Sequence, residues 1–105
     1  MFFVYLLVNE NKEHYIGFTS NIDKRLSEHN DPRNTTKTTQ GHVWELVYYE
    51  AYINEHEARI RERSIKASGK GRSLLYERVK ESEAECYARI SAGEAANLSP
   101  GKRRP

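Results

Sequence analysis

Two β-favourable runs, Phe2 to Val8 and His14 to Phe18, flank the polar stretch Asn9 to Lys12. A turn of that composition between two such runs folds back as a hairpin, and the rest of the chain must arrange itself on that pair of strands. Each run carries a tyrosine at the same point of a short motif, Tyr5 in Val-Tyr-Leu-Leu and Tyr15 in His-Tyr-Ile-Gly. The hairpin sets these two phenols on adjacent strands. Ser20 and Asp23 have the form of a capping box with Asp in place of the usual Glu, and Ile22 with Leu26 makes an i, i+4 apolar pair. This predicts a helix over about 21–29. Arg25 and His29 share another stripe of it, which brings a guanidinium and an imidazole towards the phenols.

The stretch from Asn30 to His42 contains Asp-Pro, several threonines and Gly41 but no apolar side chain, and reads as a long loop, mobile or waiting for a ligand. Val43 to Tyr52 is near-continuously apolar, which predicts a third strand in a central position with cover on at least one face. Asn54 and Glu57 repeat the capping pattern and open a helix to about Ala67, where Ser68, Gly69 and Gly71 are expected to stop it. One more helix is predicted from Ser73 to about Tyr87, with Leu75, Val79 and Cys86 inward. Residues 1–87 read as one domain and 88–105 as a basic tail. From Ser91 onwards the chain has little apolar surface to bury against its ordering entropy, so disorder is expected there.

With 105 residues the chain suits a single small domain. Such a domain buries roughly 60 to 70% of its unfolded surface, so a polar group kept inside needs a reason. A formal net charge of +2 does not by itself mark a polyanion binder, but the distribution is uneven. Between Arg59 and Lys80 eight Lys or Arg stand against two Glu, a local net of +6, and Lys102, Arg103 and Arg104 add to the basic end. The lone Cys86 excludes an internal disulfide, and no Cys or His cluster has the spacing of a structural zinc site. No basic leader and no run near ~20 apolar residues is present, so a soluble cytoplasmic protein is expected.

Glu62 shares its helical stripe with Ala58 and Ile65, the small apolar residues expected to face the sheet. An inward carboxylate needs an arginine or a metal ion, unless it merely pairs with Arg59 or Arg63 on a solvated face. Ordinary readings exist for the other groups too. A strand tyrosine is commonly half-buried packing, Arg25 can pair with Glu28, and His29 near a helix C-terminus complements the dipole. Trp44 reads as core rather than a base-stacking platform, and Cys86 as a small apolar helix residue. Convergence of two phenols, a guanidinium, an imidazole and an inward carboxylate at one sheet edge is what points past these readings.

In this order the segments VYLL, HYIGFTSNIDKRLSEH, VWELVYYEAY and EARIRERSIK resemble the GIY-YIG nuclease domain, especially its small stand-alone bacterial members similar to the N-terminal domain of the UvrC excision-repair nuclease. The resemblance covers about Phe2 to Lys80. It implies an α+β fold, a small three-stranded antiparallel sheet flanked by helices. Tyr5 and Tyr15 match the tyrosines of the two motifs, Gly17 the glycine of the second, Arg25 and His29 the first-helix pair, and Glu62 the metal-binding glutamate. The first motif departs from the pattern, since Phe3-Val4-Tyr5 lacks its glycine.

The implied function is a metal-dependent DNA endonuclease, with repair, recombination and mobile-element roles all open to it and branched or damaged DNA among its substrates. Glu62 would hold a single Mg²⁺ or Mn²⁺, and Arg25 would clamp the scissile phosphate. Tyr5 would take the proton of the attacking water, which requires a depressed phenol pKa that Tyr15 and nearby cations would favour. His29 would alternatively relay that proton or orient the water. Lys66, Lys70 and Arg72, with Arg33 and Lys37 in the long loop, are the candidates for sequence-independent phosphate contacts, against a solvated-face alternative. The rival function is a nucleic-acid-binding module that keeps the fold but cleaves weakly or needs a protein partner. A protein-interaction domain with solvated basic helices is the third.

Overall fold

The computed structural model describes residues 1–94. Strands β1 (Phe2–Asn9) and β2 (His14–Thr19) form the expected antiparallel hairpin. Its turn is organised by Asn9, whose Oδ1 accepts from the backbone N–H groups of Asn11 and Glu13 at 2.9 and 3.0 Å, while Lys12 takes the left-handed backbone (φ 63°). Strand β3 (Trp44–Tyr52) pairs with the other edge of β1, so the sheet order is β2-β1-β3, antiparallel throughout.

The central strand is therefore β1, and β3 lies at the edge, contrary to the expectation from its apolar run. Residues 4 to 9 of β1 are all buried, as a strand covered on both faces must be. The second half of β3 is rich in tyrosine, which has an apolar body and a polar tip, so its apolar pattern coexists with exposure: Tyr49 is 52% exposed.

Alternation divides the sheet into two faces. Val4 and Leu6 of β1 and Ile16 of β2 pack under helix α2 (Glu55–Ala67) through Ala58 and Ile65, and helix α3 (Gly69–Arg78) with Val79 adds Leu75 to the same core. Each large side chain buried there contributes roughly 1.5–3 kcal/mol. On the opposite face Tyr5 and Leu7 pack with Trp44 and with Leu26 of helix α1 (Ile22–His29).

Helix ends follow side-chain chemistry with local corrections. Asn21, not Ser20, caps α1, its side chain accepting from the N–H of Lys24 at 3.1 Å. Asn54 caps α2 through the N–H of Glu57 at 3.0 Å. Ser68 ends α2, but Gly69 and Gly71 begin α3 rather than terminate anything, because the Ser68 hydroxyl accepts from the Gly71 N–H at 2.9 Å. The single helix expected from Ser73 breaks at Val79 into α3 and α4 (Lys80–Ser91). Helix α4 thus continues past residue 87, where the tail was expected to start, and the remaining tail from 95 to 105 lies outside the described residues. Among the described residues no helix is long and apolar enough to cross a membrane.

The stretch from 30 to 42 is tied down rather than open. Asn30 brackets Trp44, accepting from its N–H at 2.7 Å and donating to its carbonyl at 2.9 Å. The Trp44 indole N–H donates to the carbonyl of fully buried Thr39 at 2.8 Å, and the Asn34 amide reaches both the His29 carbonyl and the Thr39 hydroxyl.

Candidate active site

Strand register sets Gly17 directly opposite Tyr5, and the absence of a side chain there makes the site possible. A Cβ at Gly17 would lie 2.5 Å from Cζ of Tyr5 and 3.0 Å from Cε1 of Tyr15, so only glycine lets the Tyr5 ring lie across the neighbouring strand. The backbone role expected for Gly17 thus has a definite steric content.

The Tyr5 hydroxyl reaches Nε2 of His29 at 3.0 Å in a buried contact. His29 is 2% exposed at the end of α1, and the Tyr15 ring meets its imidazole edge-on at 4.9 Å between centroids. Trp44, 6.1 Å from Tyr15, closes the back of this aromatic group. Arg25, one helical turn before His29, pairs with Glu28 at 3.0 Å and also interacts with the Tyr5 hydroxyl. The predicted Arg25–Glu28 pair and the predicted convergence on Tyr5 therefore coexist.

Electrostatics assign the resting protonation states. Burial first, and the neighbouring Tyr15 second, push the Tyr5 phenol well above its ordinary range, and Arg25 pulls the other way without reversing this. The depressed phenol that the sequence-based role for Tyr5 required is absent, because the phenolate would be desolvated beside a second phenol. Burial and then the charge of Arg25 push His29 down to about 4. Against the pull of burial, Glu28 and Tyr5 keep Arg25 protonated. At neutral pH the pair is a neutral phenol and a neutral imidazole. The hydroxyl donating to Nε2 corresponds to the tautomer with its proton on Nδ1.

Glu62 sits on α2 with its side chain 18% exposed, and its negative charge is felt at Tyr5. Its partner is neither Arg59 nor Arg63 but Lys66, whose Nζ is 3.0 Å from Oε2 and 6.0 Å from the Tyr15 ring centroid. Glu N-terminal to Lys at i, i+4 is the favourable helical orientation, whereas residue 63 at i+1 points elsewhere. Arg59 instead pairs with Glu55 at 2.9 Å and lies over the Phe18 ring at 4.2 Å.

Among the described residues no group of three or more His, Cys, Asp or Glu side chains gathers. One half-buried carboxylate that already carries an ammonium group is a hard oxygen donor in a cation-accepting position. It suits an ion such as Mg²⁺ that takes one carboxylate and completes its shell with water and phosphate oxygens. It does not suit resident zinc.

The other residues expected to contact phosphate differ in their surroundings. Lys70 and Lys37 are exposed. Arg33 is 90% exposed and held by both oxygens of Asp31 at 3.1 and 2.9 Å. The Arg72 guanidinium folds back onto the carbonyls of Ile65 and Lys66, so it caps the end of α2 rather than facing outwards. Sequence reasoning missed Asn30, Asn34 and Thr39, which hold Trp44 and the end of α1 behind the aromatic cluster. The polar residues that follow α1 were the available signal, but their partners are fixed only by the fold.

The model of the GIY-YIG catalytic domain matches residues 1–73. A UPF0213 protein of Clostridium perfringens (strain 13 / Type A) is 34% identical over 74 residues, covering 70% of this chain and 80% of that protein. A UPF0213 protein of Pediococcus acidilactici is 29% identical over 77 residues, covering 71% and 79%, and one of Staphylococcus haemolyticus (strain JCSC1435) is 29% identical over 72 residues, covering 69% and 88%. No solved structure matches the chain significantly.

Proposed function

The chain belongs to the GIY-YIG catalytic-domain family, a nuclease-type domain, and on that premise we propose that it is a divalent-metal-dependent DNA endonuclease of the kind used in repair and recombination. The observation that supports this best is the buried Tyr5–His29 hydrogen bond with Arg25 beside it and the charge of Glu62 within electrostatic reach.

Phosphodiester hydrolysis needs a deprotonated water, positive charge against the phosphoryl oxygens and help for the departing 3′ oxygen. Glu62 would hold the Mg²⁺ or Mn²⁺, which would supply Lewis-acid stabilisation of the phosphoryl charge and of the departing 3′ oxygen when bound. Arg25 binds a non-bridging oxygen, its fork geometry matching the phosphate. Because the resting phenol is protonated, Tyr5 accepts the water's proton only as it passes its own to Nε2 of His29 at 3.0 Å. His29 is a weak base first because it is buried and second because Arg25 is charged beside it, and a bound phosphate would offset the second of these causes, easing proton acceptance when substrate is present. Lys66, paired with Glu62 and 6.0 Å from the Tyr15 ring centroid, would be the cation available to the same phosphate if its carboxylate partner were taken up by an ion.

The test is nicking of duplex, branched and single-stranded DNA with Mg²⁺ or Mn²⁺ by wild type and by Glu62→Ala. Metal-dependent nicking lost in the variant is expected. No nicking by wild type, or equal nicking by both, overturns the proposal.

A further inference from the structure

The face of the sheet that carries Tyr5 is covered along only part of its length. Trp44 and the α1 residues Leu26 and His29 close it from Leu7 to Tyr5. Beyond Tyr5 the same face continues through Phe3 and, on β3, through Tyr49 and exposed Ala51. Tyr49 is the direct cross-strand partner of Tyr5, so their Cβ atoms stand roughly 4.5–5.5 Å apart and their side chains project to the same side. Its ring is 52% exposed and is backed edge-on by Phe3, with centroids 5.6 Å apart and planes at 75°. Its two neighbouring tyrosines on β3, Tyr48 and Tyr52, both donate hydrogen bonds to Glu50. Among the described residues the Tyr49 hydroxyl has no such partner. An exposed aromatic face on an edge strand is a liability that folding does not require.

We infer that Tyr49, buttressed by Phe3, is a stacking platform for an unpaired nucleobase adjacent to the phosphate on which the Tyr5 site acts, and that the preferred substrate is therefore DNA with an unpaired nucleotide at the cut. This rests on the endonuclease reading above. Three features favour a base over other occupants. Tyr49 is the cross-strand partner of Tyr5 on the β3 side, while the Tyr5 hydroxyl lies on the β2 side over Gly17, so a base on the Tyr49 ring would flank the phosphate at that hydroxyl from across β1. Arg25, which interacts with the Tyr5 hydroxyl and has its side chain 36% exposed, supplies positive charge for the phosphate next to such a base. A platform this narrow is also small beside the ~800 Å² per partner that a stable protein interface buries, whereas base–aromatic stacking needs one π-face. Because every base has such a face, the preference is for unpaired structure and not for sequence.

The experiment measures binding of metal-free protein to matched oligonucleotides, one an intact duplex and one with an unpaired 2-aminopurine at a duplex junction. Wild type and Tyr49→Phe are expected to quench the 2-aminopurine and to favour the junction. Tyr49→Ala is expected to lose the quenching and roughly 5- to 150-fold in junction affinity, with duplex affinity unchanged at a temperature well below its Tm. Unaltered quenching in Tyr49→Ala overturns the inference, as does an equal loss on both substrates. So does wild-type self-association that Tyr49→Ala abolishes, which would assign the patch to a second copy. If Tyr49-dependent quenching occurs but no substrate is ever nicked with Mg²⁺ or Mn²⁺, the platform stands and the endonuclease proposal falls. A wild type that binds no nucleic acid overturns both.

Discussion

Two tyrosine clusters lie on opposite faces of the same sheet, and they differ in how their hydrogen bonds close. On the α2 side Tyr48 and Tyr52 both donate to Glu50, at 2.7 and 2.6 Å, and Arg61 donates to the two carboxylate oxygens at 2.9 and 3.0 Å. That carboxylate is saturated. Its donors hold Glu50 down to about 2 despite burial, as multiple hydrogen bonds to a charged form do. On the α1 side Tyr5 and Tyr15 meet an imidazole that burial keeps neutral and a guanidinium with donors to spare. One cluster is a closed structural knot, and the other retains proton-accepting and anion-binding capacity. Tyrosine content alone does not separate them, but the balance of donors and acceptors does.

The sharpest way to break this contrast is Tyr5→Phe against Tyr48→Phe. The first is expected to lower the nicking rate by about 10²- to 10⁴-fold and to cost about 1–3 kcal/mol, because it leaves the buried Nε2 of His29 without its donor. The second is expected to leave the rate unaltered and to cost about 0.5–1.5 kcal/mol in a urea titration. Gly17→Ala should come next, because the added methyl evicts the Tyr5 ring from above β2. Nicking is expected to fall at least tenfold, with a loss of the Tyr5–His29 contact visible in the imidazole NMR resonances. Glu50→Ala should destabilise by about 1–3 kcal/mol, because Arg61 and two phenols lose their acceptor. Activity measured well below the lowered Tm is expected to match wild type.

A pH series separates the clusters more finely. His29 has a folded pKa of about 4 against 6.5 when unfolded. The unfolded chain therefore binds the extra proton, and its contribution is complete above about 6.5 and lost as pH falls to 4. Glu50, lowered from 4.5 to about 2, contributes fully above 4.5 and is lost only between there and 2. Denaturation curves should accordingly show two acid windows, the upper one missing in His29→Gln and the lower in Glu50→Gln. The smallest effect is expected from Arg33→Ala, since that side chain is almost wholly solvated beside Asp31: the denaturation midpoint should match wild type.

What the sequence disclosed was local. The hairpin, the helix carrying Arg25 and His29, and the Asn54 cap of α2 all depend on residues within a turn or two of one another, where periodicity and capping are decisive. The Glu62–Lys66 pair is equally local and legible from i, i+4 geometry, although Arg59 and Arg63 stand on the same helix as competing cations. The Glu50 knot joins positions 11 apart through the corner between strand and helix, and the bracket of Asn30 around Trp44 spans 14. Neither pairing has a periodic signature. The central place of β1 was hidden for a related reason. An amphipathic tyrosine counts as apolar in a pattern while its hydroxyl seeks an edge, so β3 looked more buried than it is. The raised phenol of Tyr5 was beyond pattern altogether, because it follows from the depth of the site once α1 has closed over it.

Ser68 and Val79 each serve as the last flanking residue of one helix and the first of the next. Helices α2, α3 and α4 consequently form one jointed rod bent at two single-residue corners, with no slack between segments. Lys70 lies in the first turn of α3, just after the first corner, and Glu62 in α2, six residues before Ser68. The Ser68 hydroxyl on the Gly71 N–H caps α3 at that corner and helps set where the carboxylate and Lys70 stand relative to each other. The Arg72 guanidinium, bonded to the carbonyls of Ile65 and Lys66 from across the same corner, is a second tie, so the angle behaves as a bracket with two rivets and loosening one leaves the other to hold it.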